Sequence, residues 1–186
     1  KYPMSPLIDL ALSGKYDFAG ACDPDADRFG AATSKGGLLS PNHALCVMLN
    51  YLADNKKTAK TNAVGRTIGT THLIDKIAAS KGLRVEEVNV GFKYFVQGLL
   101  SGELLMAGEE SAGMSQADWV TEKDGMLAVF LLLEIMSNTG QDIAGLYKQL
   151  TALYGDPVYT RVDMPVTEEV KEKLKGFGKE SLAGLK

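Results

Sequence analysis

Three aspartates, Asp23, Asp25 and Asp27, alternate within five residues of the sequence, and Arg28 follows them directly. Two bare carboxylates about 4 Å apart repel each other by about 4 kcal/mol at an effective dielectric constant of ~20, so such a cluster needs a cation or protons. All-oxygen ligands favour Mg²⁺, Mn²⁺ or Ca²⁺ over Zn²⁺. The spacing therefore predicts a site for a hard divalent ion, and the alternative is a solvated acidic turn shaped by Pro24.

A calcium-binding EF-hand is excluded by two positions of this loop. Counting from Asp23, the sixth residue should be Gly and is Arg28, and the twelfth should be Glu and is Ser34. A guanidinium beside metal ligands is consistent with a phosphate that bridges the metal ion and the arginine, because arginine holds phosphate through paired hydrogen bonds. The loop therefore favours phosphate chemistry.

A second loop, residues 108–113, combines glycines, carboxylates and a hydroxyl. Glu109 has two acceptor oxygens that can take hydrogen bonds from both hydroxyls of a vicinal diol, and Ser111 can donate or accept. Gly108 lets the backbone come close to a ligand. A glutamate pair alone is usually a solvated loop, so this segment on its own is weak support for a sugar site.

Alternating helices and strands have to position these loops, and each loop follows an apolar strand-like run. Ser5, Ser40 and either Thr70 or Thr71 are candidate helix caps. The alternation predicts an α/β fold with a mixed sheet, and ligands of such sheets collect beyond the carboxyl ends of the strands. The predicted strands are 16–22, 29–33, 63–68, 83–90, 104–107 and 158–162, and the predicted helices are 5–12, 40–55, 71–81, 92–100, 124–137, 142–153 and 168–175.

The composition is that of an ordinary globular protein with 186 residues and a net charge of −3. There is no basic surplus for nucleic acid. Cys22 and Cys46 lie far apart, which favours reduced core thiols over a disulfide. The longest apolar run, 126–136, contains Glu134 and is too short to cross a bilayer, and no signal peptide is recognisable, so a cytoplasmic protein is expected.

The order of three segments resembles the phosphohexomutase superfamily, in particular its phosphoglucomutase branch. These segments are Asp-Pro-Asp-Ala-Asp-Arg at 23–28, Val-Gly-Phe-Lys at 90–93 and Gly-Glu-Glu-Ser at 108–111, and the resemblance runs from about Pro6 to the end of the chain. It implies the fold of the middle domains of that superfamily. The three loops together are far more specific than any one of them.

The resemblance also implies a role for each site residue. Asp23, Asp25 and Asp27 would hold Mg²⁺, whose remaining ligand is an oxygen of a catalytic phosphoserine, and Arg28 would lie near the phosphoryl group in transfer. Glu109 and Ser111 would grip two sugar hydroxyls, with Gly108 beside them, and Lys93 would supply a cation or proton donor. Whether the ion is Mg²⁺ or Mn²⁺ stays open.

Three domains are expected from the resemblance. Residues 1–37 would end the second domain, which carries the metal loop, residues 38–154 would form the third, sugar-binding domain, and residues 155–186 would open the fourth. Lys1 and Lys186 are interpreted as cuts inside a longer protein. No segment resembles the family's phosphoserine loop, so the chain alone is expected to be inactive.

The implied activity of the longer protein is the interconversion of glucose 1-phosphate and glucose 6-phosphate through glucose 1,6-bisphosphate. The alternatives are a phosphomannomutase or amino-sugar phosphomutase of the same superfamily, or a non-catalytic module that binds a metal or a phosphosugar. Residues 122–125 are interpreted as mostly structural, with Asp124 as a helix cap. The hydroxyl-rich segment 67–71 and the two histidines, His43 and His72, are not expected to act in catalysis.

Overall fold

The computed structural model describes residues 3–56, 58, 60–160, 162 and 164–177. Its helices and strands alternate between residues 41 and 108, as the sequence predicts, whereas three strands follow one another before this part and three helices after it. A 3₁₀ turn, Phe92–Tyr94, precedes the fourth helix. The elements are α1 (Ser5–Leu12), β1 (Phe18–Cys22), β2 (Phe29–Thr33), β3 (Gly37–Leu38), α2 (Pro41–Asn55), β4 (Ala63–Thr67), α3 (Leu73–Ser80), β5 (Arg84–Val88), α4 (Val96–Ser101), β6 (Leu104–Gly108), β7 (Met114–Gln116), α5 (Gly125–Thr139), α6 (Ile143–Tyr154) and α7 (Glu168–Lys175).

Two separate sheets form from these strands. The first is antiparallel, in the order β1-β2-β3. The second has the order β5-β4-β6-β7, in which β4 is parallel to β5 and β6 while β7 runs antiparallel to β6. The predicted α/β fold with a mixed sheet is therefore confirmed.

The mixed sheet is covered on both faces, which explains why β4 and β6 consist wholly of buried residues. Neighbouring residues of β4 point to opposite faces. Val64 joins the main core with α2, α3, α5 and α6. Ala63 instead packs with Phe92 of the 3₁₀ turn, Leu99 of α4 and Phe95, which lies between these two elements. The mixed sheet is thus packed on both faces, and the loops at its edge start from buried strands.

Helix starts agree with the sequence only in part. Asp124 and Asp142 cap α5 and α6, since their side chains accept hydrogen bonds from Leu127 N and Ala144 N. Ser5 instead is the first helical residue of α1, and the side chain of Ser40, although at the N-cap of α2, makes no capping hydrogen bond. Pro in the first turn starts both helices without that bond.

The secondary structure differs from the prediction at two missed strands, one divided helix and one absent strand. The short strands β3 and β7 were not predicted, and the predicted helix 92–100 is a 3₁₀ turn followed by α4. The predicted strand 158–162 is absent at its described residues, 158–160 and 162, while Arg161 lies outside the described residues. Val158 is 99% exposed, and an extended segment without a partner strand gains no ladder hydrogen bonds.

Residues 178–186, which the sequence assigns to the start of a fourth domain, lie outside the described residues, as does Lys1. The three-domain division stays a prediction. Within the described part of the chain, none of the helices combines the length and the apolar character needed to cross a membrane.

Candidate functional site

The aspartate loop and the glycine-glutamate loop lie side by side, although about eighty residues of sequence separate them. Arg28 and Gly113 form an isolated antiparallel β-bridge. Beside it, Phe29 N donates to Ala112 O at 3.2 Å. The backbone therefore joins the end of one loop to the end of the other.

The three aspartates of the first loop converge. One ligand atom from each of Asp23, Asp25 and Asp27 can be chosen so that all lie within 4.8 Å of one another. The loop is closed by Arg28 N, which donates to Asp23 Oδ1 at 3.0 Å, and by the left-handed backbone of Ala26 at φ 58°. A non-glycine residue in that conformation is uncommon, and such strain is typical of functional loops.

One carboxylate oxygen of the aspartate loop, Asp27 Oδ1, has no hydrogen-bond donor among the described residues. Arg28 Nε lies 3.4 Å from both Asp23 Oδ2 and Asp27 Oδ1, which is too long for a well-formed hydrogen bond. Asp27 Oδ1 is buried, and no donor among the described residues hydrogen-bonds to it. A buried carboxylate oxygen without a donor, beside two further carboxylates, fits a hard divalent cation.

Lys123 is a site residue that the sequence analysis missed. Its Nζ lies 2.8 Å from Asp27 Oδ2, and its stem runs so close to Gly113 that a Cβ there would lie 2.3 Å from Lys123 Cδ. The hydrogen bond from Lys123 lowers the pKa of the Asp27 carboxyl, and the same contact raises the pKa of the Lys123 ammonium. Lys123 therefore spans both loops.

The start of α5 packs against the aspartate loop and hydrogen-bonds to its backbone. Gly125 N donates to Ala26 O at 2.8 Å, and Asp124 accepts hydrogen bonds from both Leu127 N and Trp119 Nε1. Residues 122–125, which the sequence assigns a structural role, thus hold the loop and also carry Lys123. The sequence signal for Lys123 is its position directly before Asp124, the cap of α5. Because the start of α5 contacts the aspartate loop, a residue next to the cap lies close to that loop.

Glu109 of the second loop is almost fully buried, at 5% exposure. Its Oε1 accepts a hydrogen bond from Gly91 N at 3.2 Å, and its backbone N donates to Gly113 O at 2.9 Å. Gly108 is required for packing, since a Cβ there would lie 2.6 Å from Leu45 Cδ2 of α2. Ser111 is exposed at the tip of the loop.

The parallel strands explain why residues 90–93 approach Glu109. β5, β4 and β6 run in one direction, so the segments that follow them emerge at one edge of the sheet. Lys93, on the 3₁₀ turn, is exposed, and its Nζ lies 5.2 Å from the Tyr94 ring centroid. Gly91 therefore contacts the loop through its backbone, while the Lys93 ammonium lies over an aromatic ring.

The two histidines are distant from these loops in the sequence: His43 lies on α2, and His72 directly precedes α3. His43 stacks on Tyr147 with ring centroids 3.7 Å apart, and burial lowers its pKa. His72 is exposed, with Nδ1 3.6 Å from Asp75 Oδ2. Packing and surface contacts account for both.

Comparison with known proteins gives concordant matches. The family profile described as phosphoglucomutase/phosphomannomutase, alpha/beta/alpha domain III, matches residues 40–154. The chain is 39% identical over 187 residues to a phosphoglucomutase of Komagataeibacter xylinus, covering 97% of this chain and 33% of that protein. It is 34% identical over 159 residues to phosphoglucomutase 1 of Drosophila melanogaster, covering 84% of this chain and 28% of that protein.

A solved structure matches as well. A Thermus thermophilus protein described as a phosphomannomutase superposes with a TM-score of 0.78 at 29% identity, over 89% of this chain and 38% of that one. The chain thus spans about a third of the length of the proteins that it matches.

Proposed function

The chain belongs to the phosphoglucomutase/phosphomannomutase family, and we propose that it is the part of a phosphoglucomutase that holds the metal ion and the sugar. The observation that carries the proposal is the bridge between Arg28 and Gly113, which joins the aspartate loop to the Glu109 loop. A phosphosugar spans a few ångströms between hydroxyls and phosphate, so its two ends need neighbouring sites of opposite character. Acidic acceptors for hydroxyls beside cations for phosphate meet that need.

In this proposal Asp23, Asp25 and Asp27 hold Mg²⁺. Two observations support the assignment: the oxygens of the three side chains converge, and Asp27 Oδ1 accepts no hydrogen bond from the described residues. When bound, the ion supplies positive charge that neutralises the oxygens of a phosphoryl group in transfer. The carboxylates gain in turn, because the ion removes their mutual repulsion.

The residues of the chain would divide the remaining work. Arg28 presents a planar fork to phosphate oxygens, and the Lys123 ammonium, 2.8 Å from Asp27, adds a second positive charge at the same place. Glu109 accepts hydrogen bonds from sugar hydroxyls, Ser111 donates or accepts them, and Lys93 adds a cation or proton donor at the edge of the sheet. Phosphoryl transfer depends mainly on such positioning and charge neutralisation.

The phosphoryl donor of the proposed reaction is a phosphoserine outside residues 1–186. A free hydroxyl of glucose 1-phosphate or glucose 6-phosphate would take its phosphoryl group, and the serine so released would take the other phosphoryl group back from glucose 1,6-bisphosphate. The chain by itself would then be inactive. A phosphomannomutase is the second candidate, favoured by the superposition on the Thermus thermophilus protein.

Turnover of glucose 1-phosphate, primed with the bisphosphate and Mg²⁺, tests the proposal on the protein expressed from the full open reading frame. We expect turnover by that protein, none by the chain, and losses of at least about a hundredfold for Asp25→Asn and Glu109→Gln. The controls are Asp17→Asn and Glu103→Gln. These carboxylates directly precede β1 and β6, at the strand ends that lie away from the two loops. Turnover by the chain alone, or full activity of Glu109→Gln, would contradict the proposal, and competition with mannose 1-phosphate separates the two candidates.

Metal binding can be tested on the chain itself by thermal unfolding. A ligand at about 100 times its dissociation constant stabilises the folded state by about 2.7 kcal/mol. We expect Mg²⁺ to raise the Tm of the wild-type chain and of Asp17→Asn, and to leave that of Asp25→Asn unchanged. An equal rise in all three would mean that the ion binds elsewhere.

A further inference from the structure

Two buried threonine hydroxyls lie at the carboxyl end of β4, directly beneath the loop that carries Glu109. Thr67 and Thr70 are 0% and 1% exposed, and their Oγ1 atoms lie 2.8 Å apart. Thr67 Oγ1 also lies 3.0 Å from Glu110 Oε2. No catalytic part is expected for this segment from the sequence.

The carboxylate fixes the direction of these hydrogen bonds. An ionised carboxylate only accepts, so the single hydroxyl proton of Thr67 has to point to Glu110. Thr67 Oγ1 then accepts the proton of Thr70, and the 3.4 Å contact between Thr70 Oγ1 and Gly108 O is the weaker alternative for that proton. The result is a directed chain from Thr70 through Thr67 to Glu110.

This chain separates the two neighbouring glutamates of the loop. Glu110 is held against Gly69, where a Cβ would lie 3.0 Å from the carboxyl carbon, while the carboxylate of Glu109 turns to Gly91 N. Both carboxylates belong to one short Gly-Glu-Glu-Ser segment, and a carboxylate at either position can accept a hydrogen bond from a sugar hydroxyl. The threonines bind one of them and leave the other in the site.

We propose that Thr67 and Thr70 are positioning residues that retain Glu110 beneath the loop, so that Glu109 alone presents a carboxylate to the hydroxyls of the hexose phosphate. The inference rests on the proposed function and extends it to residues that do not touch the substrate. Without the Thr67 hydroxyl, Glu110 loses its donor, and its charge moves towards a site that has to accept an anionic substrate. Binding is expected to weaken, while the residues near the phosphoryl group stay in place.

Three variants of the full-length protein test this proposal. Thr67→Val removes the hydroxyl at nearly constant volume, and Thr67→Ser keeps it. The matched control is Thr61→Val near the other end of β4, because Thr61 is also buried, at 4% exposure, and its hydroxyl contacts Thr58 and Gly102. Both valine variants lose one buried hydroxyl, so a general loss of stability affects both.

We expect Thr67→Val to raise KM for glucose 1-phosphate about tenfold with kcat within about twofold, as for the loss of ground-state binding. Thr67→Ser should restore KM, and Thr61→Val should leave it unchanged. Equal KM effects of the two valine variants, or a wild-type KM for Thr67→Val, would overturn the proposal.

An amide-resolved NMR spectrum of the chain keeps the test independent of activity. Thr67→Val should shift the amide signals of Glu109 and Ser111, whereas Thr67→Ser and Thr61→Val should leave them in place. If the wild-type protein shows no turnover, the proposed function fails and this spectrum decides alone. Unshifted signals in Thr67→Val would then overturn the positioning role.

Discussion

Replacing Gly125 with alanine would put a methyl group into the backbone of the aspartate loop. An ideal Cβ at Gly125 lies 2.5 Å from Arg28 O, 2.7 Å from Arg28 C and 3.0 Å from Ala26 O. The usual separation of non-bonded heavy atoms is about 3.5 Å, so the shortfall is about 1 Å. Because all three neighbours are backbone atoms, either the loop or the start of α5 has to move.

Two opposing effects set the size of the change in stability. Alanine is favoured over glycine in a helix by up to about 1 kcal/mol, whereas overpacking a well-filled contact costs about 1–3 kcal/mol. We expect Gly125→Ala to lower the free energy of unfolding by about 1–2 kcal/mol, or roughly 2–8 °C in Tm. The matched control is Gly145→Ala in the first turn of α6, where a Cβ meets nothing within 4 Å. That variant should be stabilised by about 0.5–1 kcal/mol.

Urea and thermal unfolding of the wild-type chain and both variants measure these effects. A second readout is the rise in Tm with Mg²⁺ that the proposed function predicts. This rise should be smaller in Gly125→Ala, because the carbonyl neighbours of Gly125 belong to the aspartate loop, and unchanged in Gly145→Ala. If Gly125→Ala is as stable as Gly145→Ala, then the loop tolerates the methyl group, and the close support of the aspartates by α5 is refuted.

The pH dependence of stability should follow the pair of Lys123 and Asp27 in metal-free buffer. Because the pKa of Asp27 is lowered in the folded state, the pair contributes its full share of the free energy of unfolding above the ordinary aspartate pKa near 3.8. That share is lost as the pH falls through the lowered pKa. The stability difference between wild type and Lys123→Met should therefore shrink in acid denaturation below about pH 4, and a constant difference would contradict the pairing. Burial raises the pKa of Cys46 to about 12, so a thiol reagent at pH 8 should label it only after unfolding in urea; labelling in the native chain would show that α2 opens.

Local patterns were sufficient to predict most of the elements. The apolar runs before residues 23 and 108 predict β1 and β6, and Asp124 predicts the cap of α5, because these signals lie within a few residues of the structures that they specify. The three-residue strand β7 carries no such signal, since its pairing with β6 depends on a turn made by the Glu109 loop itself.

The types of the site residues were also readable from the sequence, but their partners were not. Asp23, Asp25 and Asp27 converge because they share one loop, and five residues suffice to indicate a cation. Lys123 reaches Asp27 across nearly one hundred residues, and Thr67 reaches Glu110 across forty-three. No local pattern encodes either contact.

The chemical groups available to this protein can be read directly from the sequence: three carboxylates and an arginine in one loop, and two carboxylates and a hydroxyl in another. The contact between the loops, through the bridge of Arg28 to Gly113, is visible only in the folded chain, as is the turn of Glu110 towards Thr67 while Glu109 faces Gly91. The difference arises from how far apart in the sequence the interacting residues lie. Side-chain chemistry and short loops are set by covalent neighbours, whereas the approach of distant segments is set by the burial of β4 and β6 between helices that the whole chain has to assemble.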